Sequence, residues 1–217
     1  ARPRVARFQD PASRTQGLVS MKPRTAVDTS PAGEGLLFLR RWLANPLKVG
    51  SVIPSSPALG RRVARQVQIG KDQVVVELGA GTGPVTKSLL KAGIPPERLF
   101  VIEIDPDMAT FLRRQIPQAQ VILGDATRLP DLIPRQWHGK VSTVISGIPV
   151  LPLPIAFQKR LLESCFEVMA PNGRILQYTY ALGSPLPAAK LGVKGKREGV
   201  VFLNVPPASV WSFKKAA

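Results

Sequence analysis

From residue 73 onward, short strand-like segments alternate with helix-like segments along the chain. The strand-like segments are rich in Val, Ile and Leu and cover residues 74–78, 99–104, 120–123, 141–146 and 174–180. Helix-like patterns lie between them at residues 85–92, 107–115 and 155–169. Strands that alternate with helices form a parallel sheet that is covered on both faces. The alternation therefore predicts a doubly wound α/β fold.

The end of the sequence has a different pattern. Two strand-like runs, residues 199–204 and 209–213, have only a short proline-containing segment between them and no helix. Strands that follow one another without a crossover pair in antiparallel. We therefore expect a mostly parallel sheet that finishes in an antiparallel hairpin. Residues 190–197, with Lys190, Lys194 and Arg197, are predicted to be a basic loop between strands.

The first 72 residues do not share the alternation. Residues 1–30 lack periodicity and are predicted to be a basic disordered tail, in which Met21 is a candidate native start. Residues 31–72 are predicted to hold N-terminal amphipathic helices. The first, over residues 34–45, gathers Leu36, Phe38 and Trp42 on one face, which fits a protein core or a membrane interface. The second begins near Pro57.

Charge and composition narrow the range of partners. The chain has 30 Lys and Arg against 14 Asp and Glu, which gives a net charge of +16. Such an excess favours a polyanionic partner, either nucleic acid or an anionic membrane surface. One cysteine, Cys165, and one histidine, His138, exclude an internal disulfide framework and a His/Cys zinc site. We expect no metal, and no run of 18 apolar residues predicts a membrane span.

A glycine-rich turn follows the first predicted strand. It contains Gly79, Gly81 and Gly83 directly after the acidic Glu77. Closely spaced glycines between a strand and a helix let a ligand approach the backbone. The dinucleotide fingerprint would need glycine at position 84, which is Pro84, so the turn is not the pyrophosphate-binding version. An acidic residue at this strand end favours a cationic ligand instead.

Acidic residues also end the next two strands, where ligands of such sheets bind. The Glu103 carboxylate can bind both hydroxyls of a ribose, and Asp125 suits an adenine amino group. Together with Glu77 they describe a positively charged nucleoside without phosphate, which is S-adenosyl-L-methionine. Ala126 and Ser55 are further candidates for cofactor contacts. Asp105 is predicted to cap the helix that follows it.

Residues 73–180 resemble a class I S-adenosylmethionine-dependent methyltransferase, whose fold is a seven-stranded Rossmann-like sheet. Residues 36–213 resemble, more narrowly, the bacterial soluble-type phospholipid N-methyltransferases. The resemblance lies in residues 38–46, 49–56, 146–149, 177–180 and 204–208, with Trp211. Two departures are Ala80, where the family commonly has proline, and residues 152–154, Pro-Leu-Pro, where the family often has Asn-Phe-Pro.

The resemblance implies that residues 73–217 form the methyltransferase domain and that S-adenosyl-L-homocysteine is the second product. It implies cofactor contacts for Glu77, Gly79, Gly81 and Glu103, and membrane binding by the first amphipathic helix. It further implies stepwise methylation of phosphatidylethanolamine to phosphatidylcholine. We accordingly expect a cytoplasmic protein that is peripheral on the inner face of the cell membrane; the oligomeric state is left open.

The acceptor amine must be unprotonated and aligned with the methyl group, and orientation alone supplies much of the rate. Four catalytic candidates surround it: the carbonyl groups near Ser146 and Gly147, and Tyr178 and Tyr180 at the end of the fifth strand. The basic residues at 190–197, and those at 40 and 41, are candidates for the lipid phosphate.

The alternative is an RNA adenine N6-dimethyltransferase, which the charge and the cofactor residues fit equally well. That chemistry usually places Asn or Asp, then Pro, then an aromatic residue after the fourth strand, to hold the amino group and stack the base. Residues 146–150 are Ser-Gly-Ile-Pro-Val and contain neither an amide nor a ring. The sequence therefore favours a lipid over nucleic acid.

Overall fold

A computed structural model describes residues 55–216 of the chain. The predicted tail over residues 1–30 and the predicted helix over residues 34–45 lie outside the described residues. Seven strands form one sheet in the order β3-β2-β1-β4-β5-β7-β6. They are β1 (Val74–Leu78), β2 (Leu99–Glu103), β3 (Gln120–Leu123), β4 (Val141–Ser146), β5 (Met169–Thr179), β6 (Val193–Val201) and β7 (Ala208–Lys215).

The sheet has the predicted mixture of parallel and antiparallel pairs. β1 to β5 pair in parallel, whereas β7 pairs in antiparallel with both β5 and β6. The chain moves outward from β1 through β2 to β3 and then returns to place β4 on the other side of β1. This reversal is the switch point at which such sheets bind ligands. The doubly wound α/β, Rossmann-like fold is confirmed.

Two helical layers cover the sheet. The helices are α1 (Pro57–Ala64), α2 (Pro84–Lys91), α3 (Pro106–Gln115), α4 (Leu129–Leu132) and α5 (Ile155–Val168). Successive residues of a strand point to opposite faces. Val74 and Val76 accordingly pack in the apolar cluster of α4 and α5, while Val75 packs in the cluster of α1, α2 and α3.

Two helices begin with side-chain caps, and the one at Asp105 confirms the prediction. The Ser56 hydroxyl accepts a hydrogen bond from the Leu59 amide at 3.2 Å, and Pro57 is the first residue of α1. The Asp105 carboxylate accepts one from the Met108 amide at 2.8 Å at the start of α3. Each side chain satisfies an amide that has no partner within its helix, as an N-cap does.

The prediction of a basic loop at residues 190–197 is wrong, because Val193–Val201 forms β6 and pairs with β7 along its length. β6 is an edge strand, and Lys194, Lys196 and Arg197 on it are exposed. Charged side chains are favourable on a sheet edge since they hinder pairing with another chain. The charged sequence that resembles a polar loop is therefore equally suitable for an edge strand.

Two strand boundaries also differ from the sequence prediction. β5 starts at Met169 instead of residue 174, and a register shift opposite β4 accommodates the segment with Pro171 and Gly173. The strand predicted over residues 199–204 ends at Val201. Phe202 and the residues after it form the turn that leads into β7.

Helix α1 is attached to the sheet by arginine side chains. Arg62 donates a hydrogen bond to the Glu198 carbonyl oxygen on β6, and Arg174 on β5 donates one to the Gln66 carbonyl oxygen beyond the helix. The described residues contain no helix that is long and apolar enough to cross a membrane.

Candidate functional site

The loops that follow β1, β2, β3 and β4 lie side by side at one edge of the sheet, which we call the carboxyl edge. The Gly79 amide donates to the Ile102 carbonyl oxygen at 2.9 Å, and the Gly124 amide donates to the Glu103 carbonyl oxygen at 2.9 Å. The Gly147 amide donates to the Leu78 carbonyl oxygen at 2.8 Å. These bonds continue the parallel ladders by one residue and bring the predicted site residues together.

The glycine-rich turn has a backbone that favours glycine, since Gly79, Gly81 and Gly83 all have positive φ angles. Space around them differs. A Cβ on Gly81 would meet no atom within 4 Å, whereas a Cβ on Gly83 would lie 2.6 Å from Ile116 Cδ1. Gly81 therefore leaves open room at the carboxyl edge, and Gly83 permits α2 and α3 to pack closely.

Glu103 ends β2 with a carboxylate that is only half satisfied. Its side chain is 1% exposed. The Oε1 atom accepts hydrogen bonds from the amides of Ile104 at 2.8 Å and Asp105 at 3.2 Å. The Oε2 atom is buried and makes no hydrogen bond of normal geometry among the described residues, although the Gly81 backbone amide also interacts with this carboxyl group. A buried acceptor without a partner is costly, so a ligand that donates hydroxyl groups here would be favoured.

Glu77 is a second buried carboxyl group on the same face of the sheet as Glu103. Its Oε2 atom accepts a hydrogen bond from the Thr86 hydroxyl at 2.7 Å. Burial raises the pKa of Glu77 to about 7, and the Glu103 carboxylate adds to this rise. A positive ligand placed nearby would reverse the effect and ionise Glu77.

Asp125 and Ala126 follow β3 at the same edge. Asp125 is half-buried, and its Oδ1 atom accepts a hydrogen bond from the Thr127 amide at 2.9 Å, which shapes a short 3₁₀ turn. Ala126 is buried, and its carbonyl oxygen accepts a hydrogen bond from the Ser164 hydroxyl at 3.0 Å. This loop is thus held in one conformation beside Glu103.

Tyr178 lies on the same face as Glu77, where the ends of β4 and β5 meet. Ser55 hydrogen-bonds its hydroxyl group, and a Cβ added to Gly147 would overlap that hydroxyl. Burial raises the pKa of Tyr178 above its ordinary value, and the negative charge of Glu77 adds to the rise. The side chain is therefore a neutral phenol at physiological pH. Tyr178 and Tyr180 both pack against the apolar cluster of α1, α2 and α3.

The predicted groups near Ser146 and Gly147 are backbone carbonyls, so the direction of the Ser146 side chain does not decide that prediction. The Ser146 side chain points to the opposite face, where it is 2% exposed and its Oγ accepts a long hydrogen bond of 3.4 Å from the Ile148 amide. Ser55, chosen as a cofactor contact, lies against Tyr178 on the acceptor side. Contact of either residue with a ligand stays a prediction.

Three residues that support the site were not singled out from the sequence. Thr86 bonds Glu77 from α2. The Gln177 amide on β5 donates to the Ile148 carbonyl oxygen at 3.0 Å. The Gln158 amide on α5 donates to the carbonyl oxygens of Val150 and Leu153, both at 2.9 Å. The two glutamines fix the loop after β4. The only sequence signal for Gln177 is its position beside Tyr178, in the stretch 177–180 of the family resemblance.

The arrangement suits a cationic nucleoside. It offers a partnerless carboxylate oxygen on Glu103, open space over Gly81, and a carboxyl group on Glu77 that gains from a positive neighbour. No group of three His, Cys, Asp or Glu side chains that could hold a metal ion occurs within residues 55–216.

Comparisons with known proteins agree with this geometry. A family model described as a methyltransferase domain matches residues 75–173. An ornithine lipid N-methyltransferase of Singulisphaera acidiphila is 36% identical over 146 residues, which cover 66% of this chain and 76% of that protein. A ribosomal RNA small subunit methyltransferase A of Chlorobaculum parvum is 30% identical over 132 residues, or 58% of this chain and 46% of that protein.

A solved structure shares the fold at low sequence identity. The 1,6-didemethyltoxoflavin-N1-methyltransferase of Burkholderia thailandensis, solved with S-adenosylhomocysteine, superposes with a TM-score of 0.61 at 13% identity. The match covers 91% of this chain and 93% of that one. This structure supports the fold, while the lipid N-methyltransferase relative and the domain match show that S-adenosyl-L-methionine is the cofactor and that the chain belongs to the class I S-adenosylmethionine-dependent methyltransferases.

Proposed function

We propose that the protein methylates the amine nitrogen of a membrane lipid, and that the lipid is phosphatidylethanolamine. Its mono- and dimethyl forms would be the next substrates, and phosphatidylcholine the final product. The observation that carries lipid N-methylation is the 36% identity with an ornithine lipid N-methyltransferase over 76% of its length, and the choice of phosphatidylethanolamine rests on the resemblance to the phospholipid N-methyltransferases. This similarity supports a lipid amine as the acceptor in this protein as well.

The residues at the carboxyl edge divide into cofactor and acceptor groups under this proposal. Glu103 would hold the ribose hydroxyls through its Oε2 atom, and the loop of Asp125 and Ala126 would hold the adenine. The backbone of Gly79 and Gly81 would contact the rest of the cofactor. When bound, S-adenosyl-L-methionine supplies an electrophilic methyl group on a positively charged sulfur.

The acceptor side presents polar groups and no strong base. The neutral Tyr178 hydroxyl and the carbonyl oxygens beside Gly147 accept hydrogen bonds from the amine and orient it. Taking a lipid ammonium out of water lowers its pKa, which favours loss of the proton to solvent before transfer. Tyr180 adds an aromatic face that can attract a methylated cation. Orientation and desolvation then account for the rate.

The same proposal places the enzyme on the cytoplasmic face of the membrane as a peripheral protein. Its support is the net charge of +16, which attracts anionic headgroups at about 1 kcal/mol per charge near the surface. The predicted amphipathic helix over residues 34–45 would add apolar contact.

The test is an assay of methyl transfer from radiolabelled cofactor to three acceptors: vesicles with phosphatidylethanolamine, vesicles with ornithine lipid, and ribosomal RNA. We expect label in phosphatidylethanolamine, and none with the matched Glu103→Ala variant. Label only in ornithine lipid would keep lipid methylation but overturn the headgroup. Label only in RNA would overturn the proposal.

RNA dimethylation is the second candidate because several relatives are named as ribosomal RNA methyltransferases. The loop after β4 speaks against it. Ile148 and Val150 are buried there, and Gln177 already donates to the Ile148 carbonyl oxygen. No aromatic ring of this loop is available to stack a base, as that chemistry requires.

A further inference from the structure

The turn between β6 and β7 carries large apolar side chains in solvent. We call residues 202–207 the hairpin tip. Phe202, Leu203 and Val205 in it are 79%, 81% and 84% exposed. A single exposed apolar side chain needs no explanation, but several neighbouring ones that remain exposed to solvent indicate a contact surface.

The hairpin tip lies at the carboxyl edge, next to the acceptor group. β7 runs antiparallel to β5, and Ser209 at its start pairs with Thr179 at the end of β5. The tip is therefore adjacent to Tyr178 and Tyr180. Leu182, in the loop after β5, is 96% exposed at the same edge.

Other exposed apolar residues also lie near the carboxyl edge. Leu151, in the segment between β4 and α5, and Ile155, the first residue of α5, are about half exposed, and Leu123 is exposed at the end of β3. Phe111, on α3, is the large apolar residue that is exposed away from this edge. Most of the exposed large apolar side chains within residues 55–216 thus surround the site.

The hairpin tip is held outward by a buried asparagine. Asn204 is 1% exposed, its Oδ1 atom accepts a hydrogen bond from the Ser56 amide at 2.8 Å, and its Nδ2 atom donates to the Pro206 carbonyl oxygen at 2.9 Å. These bonds fix the turn to the start of α1. The apolar side chains on either side of Asn204 consequently cannot fold back onto the core.

The charge around the tip identifies the kind of partner. Residues 55–216 contain 21 Lys and Arg against 11 Asp and Glu. Arg197 is exposed on β6 five residues before the tip, whereas Lys194 pairs with Lys214 toward the other end of the strand. Apolar side chains that project from a net basic domain are suited to the boundary between acyl chains and anionic headgroups.

We propose that the hairpin tip inserts into the surface of an anionic lipid bilayer and so sets the acceptor site against the lipid headgroups. The inference rests on the proposed lipid methylation for its purpose, but it concerns a different contact. It predicts membrane contact by Phe202, Leu203 and Val205 in addition to any contact of the predicted N-terminal helix.

The first test places an environment-sensitive fluorophore on the tip of the full chain. Cys165 is buried, and burial raises its pKa to about 12, so an introduced cysteine is labelled selectively. The F202C variant should show a blue shift on vesicles of phosphatidylglycerol and phosphatidylcholine. The matched F111C variant should show none. A vesicle-bound F202C protein without a shift would overturn the inference.

A label at position 202 should also be quenched by iodide before vesicles are added. Shielding from iodide in their absence would show that another part of the chain, or a second copy, covers the tip, and would overturn lipid insertion.

The second test measures vesicle affinity after Phe202, Leu203 and Val205 are all replaced by Ser. We expect binding at least tenfold weaker than that of the native chain, with unchanged cofactor affinity as proof of folding. The matched Phe111→Ser control should bind as the native chain does. Equal vesicle affinity of the triple variant would overturn the inference.

These vesicles contain no amine lipid, so the two proposals fail separately. Insertion of the tip without methylation of phosphatidylethanolamine would overturn the proposed function alone. Methylation with no effect of the tip on vesicle binding would overturn the insertion alone.

Discussion

The two ends of the sheet differ in what they present at the carboxyl edge. In β1, β2 and β3, which we call the cofactor half, the first two strands carry the buried carboxyl groups of Glu77 and Glu103 at this edge, and the half-buried Asp125 follows the third. β5, β6 and β7, the hairpin half, end in a neutral phenol and in exposed apolar side chains such as Phe202 and Leu203. β4 lies between them.

The difference shows that one sheet edge can serve two chemically unlike molecules. Buried acids, one of them with an unsatisfied oxygen on Glu103, suit a small, charged and hydroxylated ligand that leaves water entirely. Exposed apolar groups and cations suit a partner that is itself an interface. The predictions below separate the two halves, beginning with the largest expected effect.

Replacement of Glu103 by Ala should reduce cofactor affinity by about 100-fold or more. The variant removes the acceptor for two ribose hydroxyls, and hydrogen bonds to a charged group contribute about 1.5–3 kcal/mol each. Isothermal titration calorimetry measures the affinity. Asp107→Ala is the matched control, since Asp107 is exposed in the next helix. Unchanged affinity for Glu103→Ala would remove Glu103 from the cofactor site.

Replacement of Gly147 by Ala should lower the free energy of unfolding by about 1–3 kcal/mol and reduce methyl transfer. The new Cβ would overlap the Tyr178 hydroxyl and the Gly79 carbonyl oxygen, where the two halves meet. Denaturant unfolding measures the first effect. Gly183→Ala is the control, since its Cβ would meet nothing within 4 Å. A Gly147→Ala protein of native stability contradicts this tight contact.

Cofactor affinity should rise with pH below about 7, by up to tenfold per pH unit, and then level off. The Glu77 carboxyl group has a pKa of about 7 in the free protein and is neutral below it. A cationic ligand favours the ionised form, so binding releases a proton and strengthens as pH rises. Calorimetry between pH 5.5 and 8.5 measures this. In the Glu77→Gln variant, cofactor affinity should no longer change with pH in this range. An equal pH dependence in both proteins would show that a group other than Glu77 causes it.

Replacement of Asp105 by Ala should have the smallest effect, a loss of about 1 kcal/mol in the free energy of unfolding. The variant removes the cap of α3 but no proposed cofactor contact. Thermal unfolding and cofactor titration should therefore give a less stable protein of native affinity. A weakened affinity equal to that of Glu103→Ala would show that Asp105 also serves the cofactor.

The cofactor half is largely predictable from the sequence, because its signals are local. The glycine turn, Glu77, Glu103 and the cap Asp105 each follow or begin an element with clear periodicity. Most of β6, residues 193–198, could not be predicted, since its lysines and glycines resemble a loop until β7 pairs with them. Contacts between residues far apart in sequence were also missed, because they too exist only once the chain has folded.

Asn204 illustrates how distance hides a contact. Its hydrogen bond reaches Ser56, 148 positions earlier, and no local pattern indicates it. Thr86 and Gln177 are similar, because a hydroxyl or amide becomes a support for the site only after the fold has placed a buried group beside it. The outward direction of the hairpin tip belongs to the same class of property.

The position of β7 has a consequence for biosynthesis. This strand lies between β5 and β6, yet the ribosome makes it after both. Until residues 208–215 emerge, β5 has an open edge and β6 has no strand to join. The cofactor half can therefore fold during synthesis, whereas the acceptor side is completed last. A chain halted before β7 would expose a ready template for aggregation.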